Sequence, residues 1–106
     1  MKTYDLYGYK YDDIISARNL IEKIIGIRLE EHESSYRCGL YFRYGDIGTE
    51  HFILQRNFDP LENEWTDSEH QSYPLLLYVN ETTRSKELEK VLTSIEGIVL
   101  LKHEEL

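Results

Sequence analysis

The side chains best suited to metal or nucleophilic chemistry in this 106-residue sequence are four histidines, His32, His51, His70 and His103, and one cysteine, Cys38. The histidines are scattered singly. No His-x-x-x-His or Cys-x-x-Cys spacing places two ligands on one ion, so no metal or other cofactor is expected. Cys38 follows Arg37, which could lower a thiol pKa, and a histidine from elsewhere could serve it as a base. Cys38 also shares a parity with Leu40 and Phe42, and that reads it as a small core hydrophobe. The acidic pairs Asp12-Asp13, Glu30-Glu31 and Glu104-Glu105 are expected at solvated element ends, where nothing raises a carboxyl pKa for general-acid work. Nucleotide-binding loops and nucleophile elbows are absent from the sequence, and no catalytic residue is assigned.

A different chemistry is concentrated in the segment from Asp59 to His70. It holds Asp59, Glu62, Glu64, Asp67 and Glu69, no lysine or arginine, and the only tryptophan, Trp65. Carboxylates around an aromatic anchor suit a basic protein surface, where the ring provides desolvated contact and the acids pair with lysine or arginine. The same residues would arise if Trp65 tucked onto a sheet edge and the acids merely solvated a loop. Tyr41, Tyr44 and Asp46, on and just after a predicted strand, are further candidates for partner contact, since tyrosine joins apolar area to a polar tip.

These residues need a scaffold. Thr3 to Tyr9 reads as a strand. Asp12 or Asp13 can cap a helix whose stripe is Ile14, Ala17, Leu20, Ile21, Ile24 and Ile25, ended by Gly26. Ile27 to Glu30 alternates as a half-buried strand, and Ser35 to Tyr44 as another with Tyr36, Cys38, Leu40 and Phe42 on its greasier face. Gly45 to Gly48 is turn chemistry leading to a hairpin partner, His51 to Arg56. Phe58 to Tyr73 shows no period. Leu75 to Val79 is an interior strand, Thr82 or Thr83 can cap a second helix with Glu87 as its capping-box partner and a stripe of Leu88, Val91, Leu92 and Ile95, and Ile98 to Leu101 is a last buried strand.

The order β-α-β-β-β-β-α-β predicts an α/β (α+β) two-layer sandwich, a largely antiparallel mixed sheet with both amphipathic helices on one face, within a single domain over residues 1–106. A formal charge of −8, from twenty acidic and twelve basic residues, disfavours nucleic acid and anionic membranes as direct ligands and favours a basic protein. One cysteine, no apolar run long enough to span a bilayer and a charged N-terminal stretch point to a soluble protein of the cytoplasm.

Three stretches carry a resemblance: Ile14-Ile15-Ser16-Ala17-Arg18-Asn19-Leu20-Ile21-Glu22, Glu33-Ser34-Ser35-Tyr36-Arg37-Cys38-Gly39-Leu40-Tyr41, and Leu76-Leu77-Tyr78-Val79-Asn80 running into Thr83-Arg84-Ser85. With them the chain resembles the small immunity proteins of bacterial contact-dependent growth inhibition and related polymorphic toxin systems. The resemblance implies a non-enzymatic protein that neutralises the C-terminal domain of a cognate toxin, a basic RNase or DNase, through a tight one-to-one complex. It carries no contact residues of its own. The alternatives are a small enzyme or ligand-binding domain using Cys38 with a histidine, and a self-associating structural module.

Overall fold

A computed structural model describes residues 1–105 of the chain. In chain order the elements are β1 (Thr3–Tyr9), α1 (Ile14–Ile25), β2 (Glu30–Ser34), β3 (Gly39–Tyr44), β4 (His51–Arg56), the short strands β5 (Phe58–Asp59) and β6 (Glu64–Trp65), β7 (Leu75–Thr82), α2 (Ser85–Leu92) and β8 (Ile98–Glu105). Six strands form one sheet in the order β2-β3-β4-β7-β1-β8. Its five pairings are all antiparallel, the limiting case of the largely antiparallel sheet expected. Alternation along that order makes β1 run the same way as β2 and β7 the same way as β8, and each of these pairs is joined through a helix, the only compact route between strands of one direction.

Both helices lie on one face of the sheet. Tyr7, Phe42, Phe52, Leu54, Leu75, Leu77 and Val79 project from it into one apolar cluster with Ile14, Ala17 and Ile21 of α1 and Leu88 and Leu92 of α2. Burying each such leucine, isoleucine or phenylalanine contributes about 1.5–3 kcal/mol. Asp13 caps α1 by accepting from the Ser16 amide at 3.0 Å, which holds its carboxyl below the usual range. Gly26 closes the helix at φ +80°, its amide donating to Glu22 O at 2.9 Å. The stripe on α1 is narrower than its apolar content suggests. Leu20 and Ile24, expected inside, are exposed, because the core receives the Ile14–Ala17–Ile21 line with Ile25 packed half-buried against it.

Two strands run further than expected, β7 to Thr82 and β8 to Glu105, with β8 an edge strand buried only at Ile98, and three element starts differ. The residues Ile27 to Leu29 are a connection rather than a strand: Leu29 is buried and its amide donates to the Glu22 carboxylate at 2.7 Å, leaving no ladder position. The strand is the next five residues, the polar run Glu30-Glu31-His32-Glu33-Ser34. Ser35 to Arg37 is a 3-10 turn, held by Ser34 Oγ accepting from the Tyr36 amide, so the expected strand starts only at Gly39. Tyr36 is 94% exposed and Cys38 takes the left-handed φ of +61°, which removes Cys38 from the apolar parity and leaves it half-buried instead of in the core. Finally, α2 begins at Ser85 with no side-chain cap; Thr82 belongs to β7 and is buried, its hydroxyl donating to Glu50. No helix among the described residues is long and apolar enough to cross a membrane.

Candidate functional site

The stretch from Phe58 to Tyr73 is an ordered lobe, and one side chain organises it. Asn57, directly after β4, is fully buried. Its amide donates to Pro74 O at 2.8 Å, and its carbonyl accepts from the Thr66 amide at 2.7 Å. Its side-chain Oδ1 accepts from the Asp67 amide at 2.8 Å, while Nδ2 donates to the carbonyls of Asp67, His70 and Tyr73 at 3.3, 3.1 and 3.0 Å. Both ends of the lobe are therefore tied to one residue that is itself fixed by the sheet. A buried amide with every position bonded is a rigid joint.

Within the lobe β5 pairs with β6, and Asn63 makes the turn at φ +55°. Trp65 packs edge-to-face on Phe58 at 5.0 Å and shares an apolar hollow with Pro60 and Pro74, so the ring is half-buried and stiffens the hairpin. Tyr73 seats the far end of the lobe on the sheet. A Cβ at Gly8 would lie 2.6 Å from the Tyr73 ring, so the interior strand β1 must carry glycine there.

The five acids divide by role. Asp59 Oδ1 accepts from the Leu61 and Glu62 amides, and Asp67 accepts from the Glu69 amide and faces His70 Nδ1 at 2.8 Å, so both hold the lobe's own turns. Glu62, Glu64 and Glu69 are exposed, and their carboxylates have no hydrogen-bond or ion-pair partner among the described residues. They can meet an external cation without first breaking an internal bond.

Tyr41, Tyr44 and Asp46 do not join them on one surface. Tyr44 lies opposite Phe52 and packs on it at 5.9 Å, toward the helix side, whereas Tyr41 takes the other parity and stacks on His32 at 5.4 Å. Strand alternation separates the two. Asp46 is exposed in the turn at the opposite end of β4 from Asn57.

Cys38 Sγ lies 3.4 Å from Thr66 Oγ1, and no histidine lines the hollow beside it. His32 is the ring stacked on Tyr41, His51 Nδ1 faces Thr49 O at 2.9 Å, His70 faces Asp67, and His103 faces Asp5. Among the described residues no group of three His, Cys, Asp or Glu is placed to hold a metal ion.

Sequence spacing does not reveal the meeting of Asp5, Ser85 and His103. Ser85 Oγ donates to Asp5 Oδ2 at 2.6 Å, and His103 Nδ1 donates to Asp5 Oδ1. In a hydrolase relay the serine and the carboxylate engage opposite ring nitrogens. Here both stand at Nδ1, with Ser85 Oγ 3.4 Å from it, while Nε2 points toward Glu105. The hydroxyl proton already serves Asp5, so the ring cannot withdraw it. The trio instead satisfies a buried carboxylate and ties β8 to β1 and α2.

Bonding to Asp5, and secondarily to Glu105, raises the His103 pKa above its ordinary value. A raised folded-state pKa adds stability that is complete below the unfolded value, about 6.5, and disappears as pH rises through the higher folded value. In urea titrations from pH 5.5 to 9, the wild type is expected to lose stability as pH rises above about 6.5 and His103→Gln to lose less. Parallel profiles for the two proteins would show that the pair contributes nothing.

In sequence comparisons with known proteins, the chain matches no protein-family model and no curated protein.

Proposed function

We propose that this chain works by binding a basic protein, with the lobe after β4 as the contact surface. The observation that carries the reading is the combination of a rigid joint at Asn57 with three uncommitted carboxylates on Glu62, Glu64 and Glu69. A preorganised surface loses little conformational entropy on association, and its charges act before contact by steering the partner. The net charge of −8 adds a long-range field of the same sign. Following the resemblance to contact-dependent-inhibition immunity proteins, the partner is the toxic C-terminal domain of a polymorphic toxin, a basic nuclease, and the complex forms one-to-one in the cytoplasm. A standard interface of that kind buries on the order of 1,600 Å² in total.

The test is co-expression with the basic domain encoded immediately upstream of this chain's own gene. A stoichiometric complex on gel filtration, with toxicity suppressed, is the expected result. Continued toxicity together with separate elution would overturn the reading, and a concentration-dependent dimer of this chain alone would favour a self-associating module.

A further inference from the structure

The face of the sheet opposite the helices carries a groove of about 550 Å³. On its floor, Tyr4 and Leu6 of β1 lie beside Tyr78 and Asn80 of β7, which strand pairing brings side by side. Asp67 and Glu69 of the lobe line it together with Lys102 and Glu104 of β8. Aromatic rings with carboxylates around them suit a cation: the ring face attracts positive charge through its quadrupole, and the acids supply the counter-charge. Asp5 also lines the groove but its carboxylate is taken by Ser85 and His103, which leaves Asp67, Glu69 and Glu104 against one lysine, so an anionic occupant is disfavoured.

The same face already holds a guanidinium of its own. Arg37 Cζ lies 5.7 Å from the centre of the Tyr78 ring, and Arg37 Nη1 donates to Gln55 Oε1 at 2.9 Å. A ring and a neutral amide oxygen thus seat one arginine under the lobe. The groove repeats those ingredients with Tyr4 and the Asn80 side chain, and adds carboxylates that Arg37 lacks.

We infer that this groove takes an arginine-bearing extended segment of the basic partner, its guanidinium lying over Tyr4 between Glu69 and Glu104. The inference rests on the partner-binding reading above and names where and through what chemistry the partner is held. Arginine fits better than lysine, because its planar, weakly hydrated head both stacks on a ring and bridges two carboxylates.

The test uses the whole protein and defined probes. An eight-residue peptide of alternating arginine and glycine is titrated into isotope-labelled protein and followed by amide chemical shifts, with a glutamate–glycine peptide of the same length as control. Shifts centred on residues 4–6, 67–69, 78–80 and 102–104 are expected with the arginine peptide alone. Binding should weaken at least about fivefold in the double variant Glu69→Gln/Glu104→Gln and tighten about threefold in Lys102→Glu, in line with electrostatic couplings of roughly 0.6–1 kcal/mol. All three side chains are exposed, so these variants should fold, and the amide spectra verify it. Shifts centred on Glu62 and Glu64 or on the β2 edge, or equal affinity in the double variant, would overturn the groove assignment. If the groove bound the arginine peptide but no basic domain were recovered on co-expression, the cation seat would stand and the partner reading would fall. If the basic domain bound unchanged to the double variant, the opposite would hold.

Discussion

Replacing Asn57 by alanine is expected to lower the free energy of unfolding by on the order of 3 kcal/mol and the melting temperature by roughly 15 °C. The change deletes four side-chain hydrogen bonds at a fully buried position, leaving the Asp67 amide and the Tyr73 carbonyl without a partner and the Asp67 and His70 carbonyls with one backbone donor each. Water can reach some of these groups only if the lobe lifts from the sheet, so Trp65 should become more exposed in the variant even before global unfolding. Urea denaturation measures the first effect, and a red shift of tryptophan emission under native conditions measures the second. Asn57→Asp separates polarity from geometry. It keeps the shape but turns a carboxylate oxygen toward the three carbonyls that the amide group faced, so it should be less stable than alanine at pH 7 and recover as acid protonates it. A loss below about 1 kcal/mol in Asn57→Ala would mean that the lobe is held by its apolar contacts instead.

Neutralising the uncommitted acids acts on association rather than on the fold. The triple variant Glu62→Gln/Glu64→Gln/Glu69→Gln is expected to slow capture of the basic partner at least about tenfold at low ionic strength, with the difference closing as salt shortens the range of the field. Dissociation should change less, because exposed ion pairs contribute little once contact is made. Melting temperature should stay within a few degrees of wild type, since these carboxylates bond nothing inside the protein. Asp59 and Asp67 are unsuitable for the same experiment. They hold the lobe's own backbone, and neutralising them would mix a folding defect with a binding one. Stopped-flow association at two salt concentrations decides the matter. A rate unchanged at low salt would remove the lobe from the interface.

The two-layer architecture was legible because it rests on strong periodic signals: the β1 run, the two amphipathic helices, and the apolar stretch Leu75-Leu76-Leu77-Tyr78-Val79 in the sheet's interior. Burial of one helix face or of a central strand leaves a pattern that local sequence must obey. The misplaced β2 shows where such reading fails. An edge strand paired on one side only, with both faces largely in water, puts no apolar demand on its residues, and Glu30-Glu31-His32-Glu33-Ser34 carries none. Cys38 misled for a related reason. Parity arguments assume continuous extended backbone, and the Ser34 hydroxyl interrupts it with a turn that alternation cannot register. For the lobe, the acids and Trp65 were visible as composition, while the difference between Asp59 or Asp67 and the three glutamates was not. It depends on which amides point at which carboxylates. Asn57 offered no signal, because an asparagine at a strand end looks like any turn residue until six bonds to its backbone and side chain are seen together.

The place of β1 in the sheet also governs the order in which the chain can assemble. β2, β3 and β4 are neighbours both along the chain and in the sheet, and their meander can close through short turns as soon as it is made. β1 cannot. Tyr9 must find Leu75 and Ile98, and Thr3 must find Thr82 and Glu105, pairings far longer in sequence than any within the meander. Before that closure Tyr4, Leu6, Tyr7 and Tyr9 stand without the sheet that covers them, a stretch open to wrong strand pairing. Bringing β1 between β7 and β8 is thus the closure with the greatest sequence separation in the sheet. In that step the Asp5–Ser85–His103 junction closes, the Gly8 notch receives Tyr73, and the floor of the cation groove comes into being.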